Sequence, residues 1–353
     1  MQEYILNLHM HTPYSDGTGS HEEIAQAALR AGIDVVIVTD HNVWVKGPER
    51  YYQEGDRRVL LLVGEEVHDQ TLRPQKNHLL IFGVDQEMAP YARDPQALIH
   101  RVHDCGGLSF IAHLVDPEAP KFNEPDLSWV NWDISGFTGI ELWNAMSEFK
   151  SLLKSKFHAL YYAYNPEAIA RGPFPETIQK WDELLREGSR VVAVGGSDAH
   201  AMRASLGPLR RALFPYEFHF RAVNTHIFTE KPLTGDYESD RQAVLDALRK
   251  GHAHVGYDLP FPTKGFRFSA QGMGESAWMG DSISSQNGVT LQIRLPRRTE
   301  CVLLKDGKSI KTWKDREVAS HITTEAGVYR VEAYITYRRK RRAWIFSNPI
   351  YVR

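Results

Sequence analysis

The chain has 353 residues, 42% of them hydrophobic and 24% charged, with a formal net charge of −2. Such a composition fits one large globular domain with room for a small second one, and it excludes a disordered, fibrous or polyanion-seeking chain. The two cysteines, Cys105 and Cys301, stand far apart, which argues against a disulfide framework and a thiolate zinc site, and no apolar run reaches the roughly 18 residues of a membrane span. Read from Met1, the chain enters a strand almost at once with no basic-then-apolar leader, so a cytoplasmic protein without membrane association is expected.

Tyr4 to Leu8 reads as a strand that delivers His9 and His11. If the extended geometry continues, alternation puts both imidazoles on one face. Ser20-His21-Glu22-Glu23 has capping-box spacing and opens a helix that closes at Gly32. Ile33 to Val38 is a continuous apolar, β-branched run ending in Thr39-Asp40-His41, so strand, helix and strand form a βαβ unit. Val59 to Val63 ends in Gly64-Glu65-Glu66, His78 precedes the strand Leu79 to Val84, and Leu108 to Ala112 delivers His113. The segment Asp116 to Asp133, rich in Pro, Asn and Asp but carrying Trp129 and Trp132, reads as a loop that packs over another part of the chain, with a lid as one outcome. Helical spacing then runs through an insertion at about 144–188, in which Tyr161, Tyr162 and Tyr164 read as packing residues. Val191 to Val194 leads into Gly195-Gly196-Ser197-Asp198-Ala199-His200.

Near Phe261-Pro262 the pattern changes to short alternating strands, with Asp306-Gly307 as a hairpin turn. The expected division is therefore 1–262 and 263–353, the second part a small β-sandwich. The basic run Arg338-Arg339-Lys340-Arg341-Arg342 reads as a solvated hairpin tip, and nucleic acid is not expected as a partner.

Ionisable residues thus recur at strand ends: His9, His11, Asp16, His41, Glu66, His78, His113, Asp198 and His200. In a barrel of parallel strands with outer helices these ends share one mouth. So many imidazoles and carboxylates in one place require cations to neutralise the acids and use the imidazole lone pairs. Mixed His and carboxylate ligation without thiolates suits zinc, manganese or iron, and Glu66 is the carboxylate placed to bridge two ions. His68 is a weaker candidate because Glu65, Glu66 and His68 crowd one turn. Lys46 and Arg203, each a few residues past a candidate ligand, are candidate cations for an anionic substrate. No residue stands out as a general acid, and neither a Gly-x-Ser-x-Gly elbow nor a phosphate-binding P-loop is present.

His9-Met10-His11 with Ser15-Asp16-Gly17, Thr39-Asp40-His41, Gly64-Glu65-Glu66, Ala112-His113 and Ser197-Asp198-Ala199-His200 resemble the motifs of the PHP (polymerase and histidinol phosphatase) metallohydrolases. The resemblance covers roughly residues 1–260. Within that family the chain is similar to the CehA/McbA-like branch, through Ile140-Glu141-Leu142-Trp143-Asn144 and the final β region. The resemblance implies an α/β fold, a distorted TIM-like (βα)7 barrel with two or three divalent ions (Mn, Zn or Fe). It implies one ion on His9, His11, Glu66 and Asp198, a second on Glu66, His78 and His113, and a third on Asp16, His41 and His200. Glu66, Asp198 and His200 would then carry catalysis. One departure is His113-Leu114, where the family's histidine is usually followed by proline. A water bridging two such ions is acidified and can attack phosphorus or a carbonyl carbon. The implied activity is hydrolysis of a small phosphate mono- or diester, with carbamate, ester or amide hydrolysis as the alternative and a non-catalytic metal-binding scaffold as a third reading.

Overall fold

The computed structural model describes residues 1–206 and 209–353, and side chains outside 203–212. It has a mixed α/β architecture built on one large sheet. Strand β1 (Gln2–Met10) lies at its centre: it pairs in parallel with β2 (Val35–Val38), in register Leu6 to Val35. Helix α1 (His21–Ala31) joins the two. Its expected capping box is present, with the Ser20 side chain accepting from the Glu23 amide and the Glu23 side chain accepting from the Ser20 amide. β2 pairs in parallel with β4 (Arg57–Val63), which the short β3 (Arg50–Glu54) flanks.

After Gly64 the chain continues as β5 (Glu65–Val67), and here strand direction departs from the all-parallel expectation. β5 pairs antiparallel with β6 (Leu79–Phe82), and β6 pairs antiparallel with β7 (Leu108–Ile111). No helix separates β5 from β6, so the chain reverses without a crossover. One consequence bears on the site: β6 begins where its neighbours end, which is why His78 precedes its strand while His11, His41 and His113 follow theirs. Helix α2 (Pro95–Asp104) leads into β7, and parallel pairing resumes from β7 to β8 (Gly139–Asn144) and from β8 to β9 (Val192–Ala199). β9 in turn pairs in parallel with β1. The insertion contains α3 (Ala145–Ser151), α4 (Lys156–Tyr164) and α5 (Pro175–Arg186). Tyr162 is buried there, while Tyr161 and Tyr164 are exposed.

Beyond β9 come the hairpin strands β10 (Arg203–Leu206) and β11 (Leu209–Ala212), then α6 (Tyr216–Phe220), β12 (Val223–Thr229), α7 (Tyr237–Lys250) and β13 (Ala253–Tyr257). β12 pairs antiparallel with both β1 and β13. The C-terminal strands are β14 (Arg267–Gln271), β15 (Ser276–Trp278), β16 (Ser282–Ile283), β17 (Val289–Lys305), β18 (Lys308–Thr323), β19 (Gly327–Tyr337), β20 (Lys340–Ser347) and β21 (Ile350–Val352). They join the large sheet, because β20 pairs antiparallel with β13, Val255 opposite Phe346. A buried cluster with Phe268, Leu291, Leu303 and Trp344 belongs to this region, yet Ala343, Phe346 and Tyr351 pack into the cluster around Trp143 and Tyr257. The edge of β13 would otherwise leave backbone groups unpaired, and β20 satisfies them. Asp306 and Gly307 both have positive φ at the expected hairpin turn. Among the described residues no helix is long and apolar enough to cross a membrane.

Candidate metal centre

Glu66 is fully buried, and imidazoles converge on its carboxylate. His9 Nε2, His11 Nε2 and His41 Nδ1 lie 2.9, 3.2 and 3.3 Å from Oε2, while His78 Nδ1 and His113 Nε2 lie 2.8 and 3.0 Å from Oε1. Asp198 joins from the end of β9, its Oδ1 at 3.4 Å from His9 Nε2 and 3.2 Å from His11 Nε2. On the solvent side the exposed Asp16 faces His200 Nε2 at 3.1 Å and His41 Nε2 at 3.7 Å. All nine strand-end residues therefore meet in space. Burial alone would raise the carboxyls of Glu66 and Asp198, but imidazoles, His9 foremost, hold both well below the usual range. Burial pushes His78 down to about 4, whereas Glu66 overcomes burial at His113 and lifts it to about 9.

Hydrogen bonding does not account for all of these approaches. His11 Nε2 and His41 Nδ1 are buried and close to Glu66 Oε2 but make no hydrogen bond. Buried ring nitrogens aimed at a carboxylate without bonding to it fit a cation held between them. The residues form three groups whose donor atoms lie within 4.8 Å of one another: His9, His11, Glu66 and Asp198; Glu66, His78 and His113; and His11, Asp16, His41 and His200.

Ring orientation sorts these groups further. An imidazole lone pair lies in its ring plane, so two rings that share one ion cannot be stacked in parallel. His9 and His11 meet at 63°, His78 and His113 at 60°, and His41 and His200 at 41°, all compatible with sharing. His11 stacks on His41 at 28° and on His200 at 20°, which leaves it to the inner group. His68 also lies among His41 and His78, but it stacks on His78 at 14° with centroids 4.3 Å apart and serves as a packing partner. The same test disposes of Glu3, His226 and His254: the two rings stack at 19°, and both nitrogens of His226 already contact carboxylates, Glu3 and Asp258.

The backbone is contorted where it presents these side chains. His9, His113 and Asp198 have φ of 68°, 24° and 50°, conformations that persist only where surrounding structure enforces them. The pairing of β1 with β9 shifts register between Leu8 and Met10, where His9 has positive φ, so simple strand alternation does not by itself bring His9 and His11 together.

Several supporting residues escape a search for strand-end ligands. Glu141 Oε1 contacts His9 Nδ1 at 2.9 Å, and Oε2 accepts from the His113 amide at 2.9 Å and from Asn144 Nδ2 at 2.9 Å. It thereby orients one ring and fixes the backbone of a second. Its fit explains Gly196, where a Cβ would stand 1.8 Å from Glu141 Oε1. Asp40 accepts from the amide and hydroxyl of Thr12 and from Ser15 Oγ, each at 2.7 Å, and so shapes the loop that carries Asp16. Both residues are visible in the sequence, Asp40 directly before His41 and Glu141 inside a strand-end motif, but only their partners reveal the roles.

The substrate-cation expectations fare differently. Lys46 is exposed on the loop after His41, and the side chain of Arg203 lies outside the described residues. The basic run is largely committed to internal contacts: Arg338 pairs with Glu167, Arg341 with Glu300, and buried Arg342 donates to the carbonyls of Ala168 and Ala170. The loop after His113 is latched by buried Lys150, which donates to Asp116 at 2.7 Å and to the Pro125 carbonyl at 2.6 Å.

Comparison with known proteins gives a PHP domain match over residues 7–163. An uncharacterized protein of Methanocaldococcus jannaschii is 28% identical over 122 residues, 31% of this chain and 68% of that one. Among solved structures, a two-domain protein of Bacteroides vulgatus containing a predicted PHP-like metal-dependent phosphoesterase aligns over 99% of this chain and 95% of its own, at 16% identity and a TM-score of 0.47. An amidohydrolase from Chromobacterium violaceum aligns over 58% and 93%, at 14% identity and a TM-score of 0.30. Over residues 7–163 this chain is thus similar to PHP domains.

Proposed function

We propose that the chain is a metal-dependent phosphoesterase that hydrolyses a small phosphate mono- or diester. The observation that carries this reading is the buried Glu66 carboxylate, ringed by His9, His11, His41, His78 and His113, with two of those nitrogens close but not hydrogen-bonded. His9, His11, Glu66 and Asp198 would hold one divalent ion, Glu66, His78 and His113 a second, and Asp16, His41 and His200 a third, with manganese, zinc or iron suited to this donor set. Bound there, the ions supply an acidified water as nucleophile and neutralise charge on the phosphoryl oxygens.

The chain's own residues do the rest. Glu66 fixes the spacing of the inner positions, and Glu141 holds His9 in one tautomer and orientation. The exposed position of Asp16 puts the third group on the solvent side, where substrate arrives, with Lys46 on the adjoining loop as a cation for its phosphate. Pairing from β1 through β2 to β4, and from β5, which continues β4 after Gly64, through β6, β7 and β8 to β9, supports a distorted (βα)7 barrel for residues 1–262, with 263–353 as an appended β region. The test is metal analysis of the purified protein, then parallel assays with chromogenic phosphate monoesters, diesters and aryl carbamates. Phosphate ester turnover that chelator abolishes is the expected result; carbamate turnover without phosphatase activity would overturn the reading.

A further inference from the structure

Tyr216, on α6, belongs to no strand end and is buried beneath the solvent-side group. Its hydroxyl donates to the carbonyl oxygen of His11 at 2.7 Å, with the His200 carbonyl at 3.4 Å as a second acceptor. The same oxygen accepts the amide hydrogens of Gly19 at 3.1 Å and Thr18 at 3.3 Å. Thr18 itself binds the next strand end, its amide to the His200 carbonyl at 3.1 Å and its hydroxyl to the Ala201 carbonyl at 2.9 Å. A Cβ on Gly19 would stand 2.6 Å from the Tyr216 ring, so the loop closes on the phenol without room for a side chain. One oxygen therefore gathers the backbone of His11, the end of the loop carrying Asp16, and the backbone of His200.

The inner and outer groups differ in what secures them. Glu66, His9 and His113 sit on or beside buried strands; the Glu141 carboxylate braces the ring of His9 and the backbone of His113, and His113 in turn contacts Glu66. Asp16 sits on an exposed loop whose far end is pinned at Tyr216. We propose that Tyr216 is a positioning residue that sets the affinity of the outer cation position formed by Asp16, His41 and His200, while leaving the two Glu66-centred positions alone. This rests on the three-position reading above. Its hydroxyl contacts no side chain of the centre; it acts by fixing the distance between the Asp16 loop and the His200 backbone, to which a cation held by few donors is sensitive.

The experiment is equilibrium dialysis against manganese with elemental analysis, on the wild type, Tyr216→Phe, Asp16→Asn and Glu66→Gln. The wild type is expected to bind three equivalents. Tyr216→Phe should retain two at wild-type affinity and bind the third about 10- to 100-fold more weakly, matching Asp16→Asn, and excess manganese should restore the missing equivalent. A merely structural tyrosine would weaken all equivalents together or lower Tm without selective loss of one. Three tight equivalents in Tyr216→Phe, or a loss resembling that of Glu66→Gln, would overturn the proposal. A wild type that binds two equivalents would remove the outer position itself, and a wild type that binds none would overturn the metalloenzyme reading as a whole.

Discussion

A carboxylate buried as deeply as Glu66 requires positive charge, and the residues that deliver it are mostly histidines that the sequence places at strand ends. His9, His11, His41, His113 and His200 are legible as candidates because a ligand must be ionisable and these residues recur at the ends of apolar runs. Glu141 and Tyr216 are not, since a carboxylate within a strand and a tyrosine on a short helix have no composition signal; their roles lie in which atoms they touch. Gly196 falls between these cases, a glycine whose reason is the Glu141 oxygen beside it. Gly196→Ala should therefore displace Glu141 and lower metal affinity about 10- to 100-fold, measurable by competition with a chromophoric chelator. Unchanged affinity would show that Glu141 is free to move aside. Glu141→Gln retains one acceptor and should cost less than Gly196→Ala in the same assay.

At the scale of elements, apolar runs located the buried strands, and the missed features are those whose patterns follow other rules. β18 pairs among the described residues only with β17, and Lys308, Lys311, Lys314, Asp315, Arg316 and Glu317 lie along it; a solvated edge strand needs no apolar alternation. The antiparallel β6 was hidden because a short apolar run does not reveal its direction. β1, β12 and the end of β13 are clamped by His226, with Glu3 on Nδ1 at 2.9 Å and Asp258 near Nε2 at 3.0 Å. Burial alone would lower His226, but Asp258 and Glu3 lift it to about 9; burial would raise Glu3, but His226 foremost brings it down to about 2. His226 is raised, so its contribution to stability is complete below pH 6.5 and is lost as pH climbs through about 9. Glu3 is depressed, so its contribution is complete above pH 4.5 and is lost as pH falls through about 2. Thermal unfolding of His226→Asn should show its largest deficit against wild type between pH 4.5 and 6.5, narrowing as pH climbs from 6.5 to about 9. A deficit that stays constant across that range would exclude a charged clamp.

For the whole molecule, the change in pattern near Phe261 divides the sequence but says nothing of how its two parts depend on each other. β20 completes the edge of β13, and buried Arg330 grips Asp182 of α5 with Nε at 3.0 Å and Nη2 at 2.9 Å. A truncation at residue 265 would bare the β13 edge, leave Trp143 and Tyr257 without Phe346, and unpair Asp182. Its product should be aggregated or unfolded by circular dichroism, whereas a folded product with full metal content would establish the C-terminal strands as an independent unit. The central claim, that Glu66 holds ions in common between two groups of histidines, is tested most directly by elemental analysis of the purified wild type and Glu66→Gln. Two or three equivalents per chain in the wild type, with at least one lost in Glu66→Gln, is the predicted result; no bound metal in the wild type, or full metal content in the variant, would contradict it.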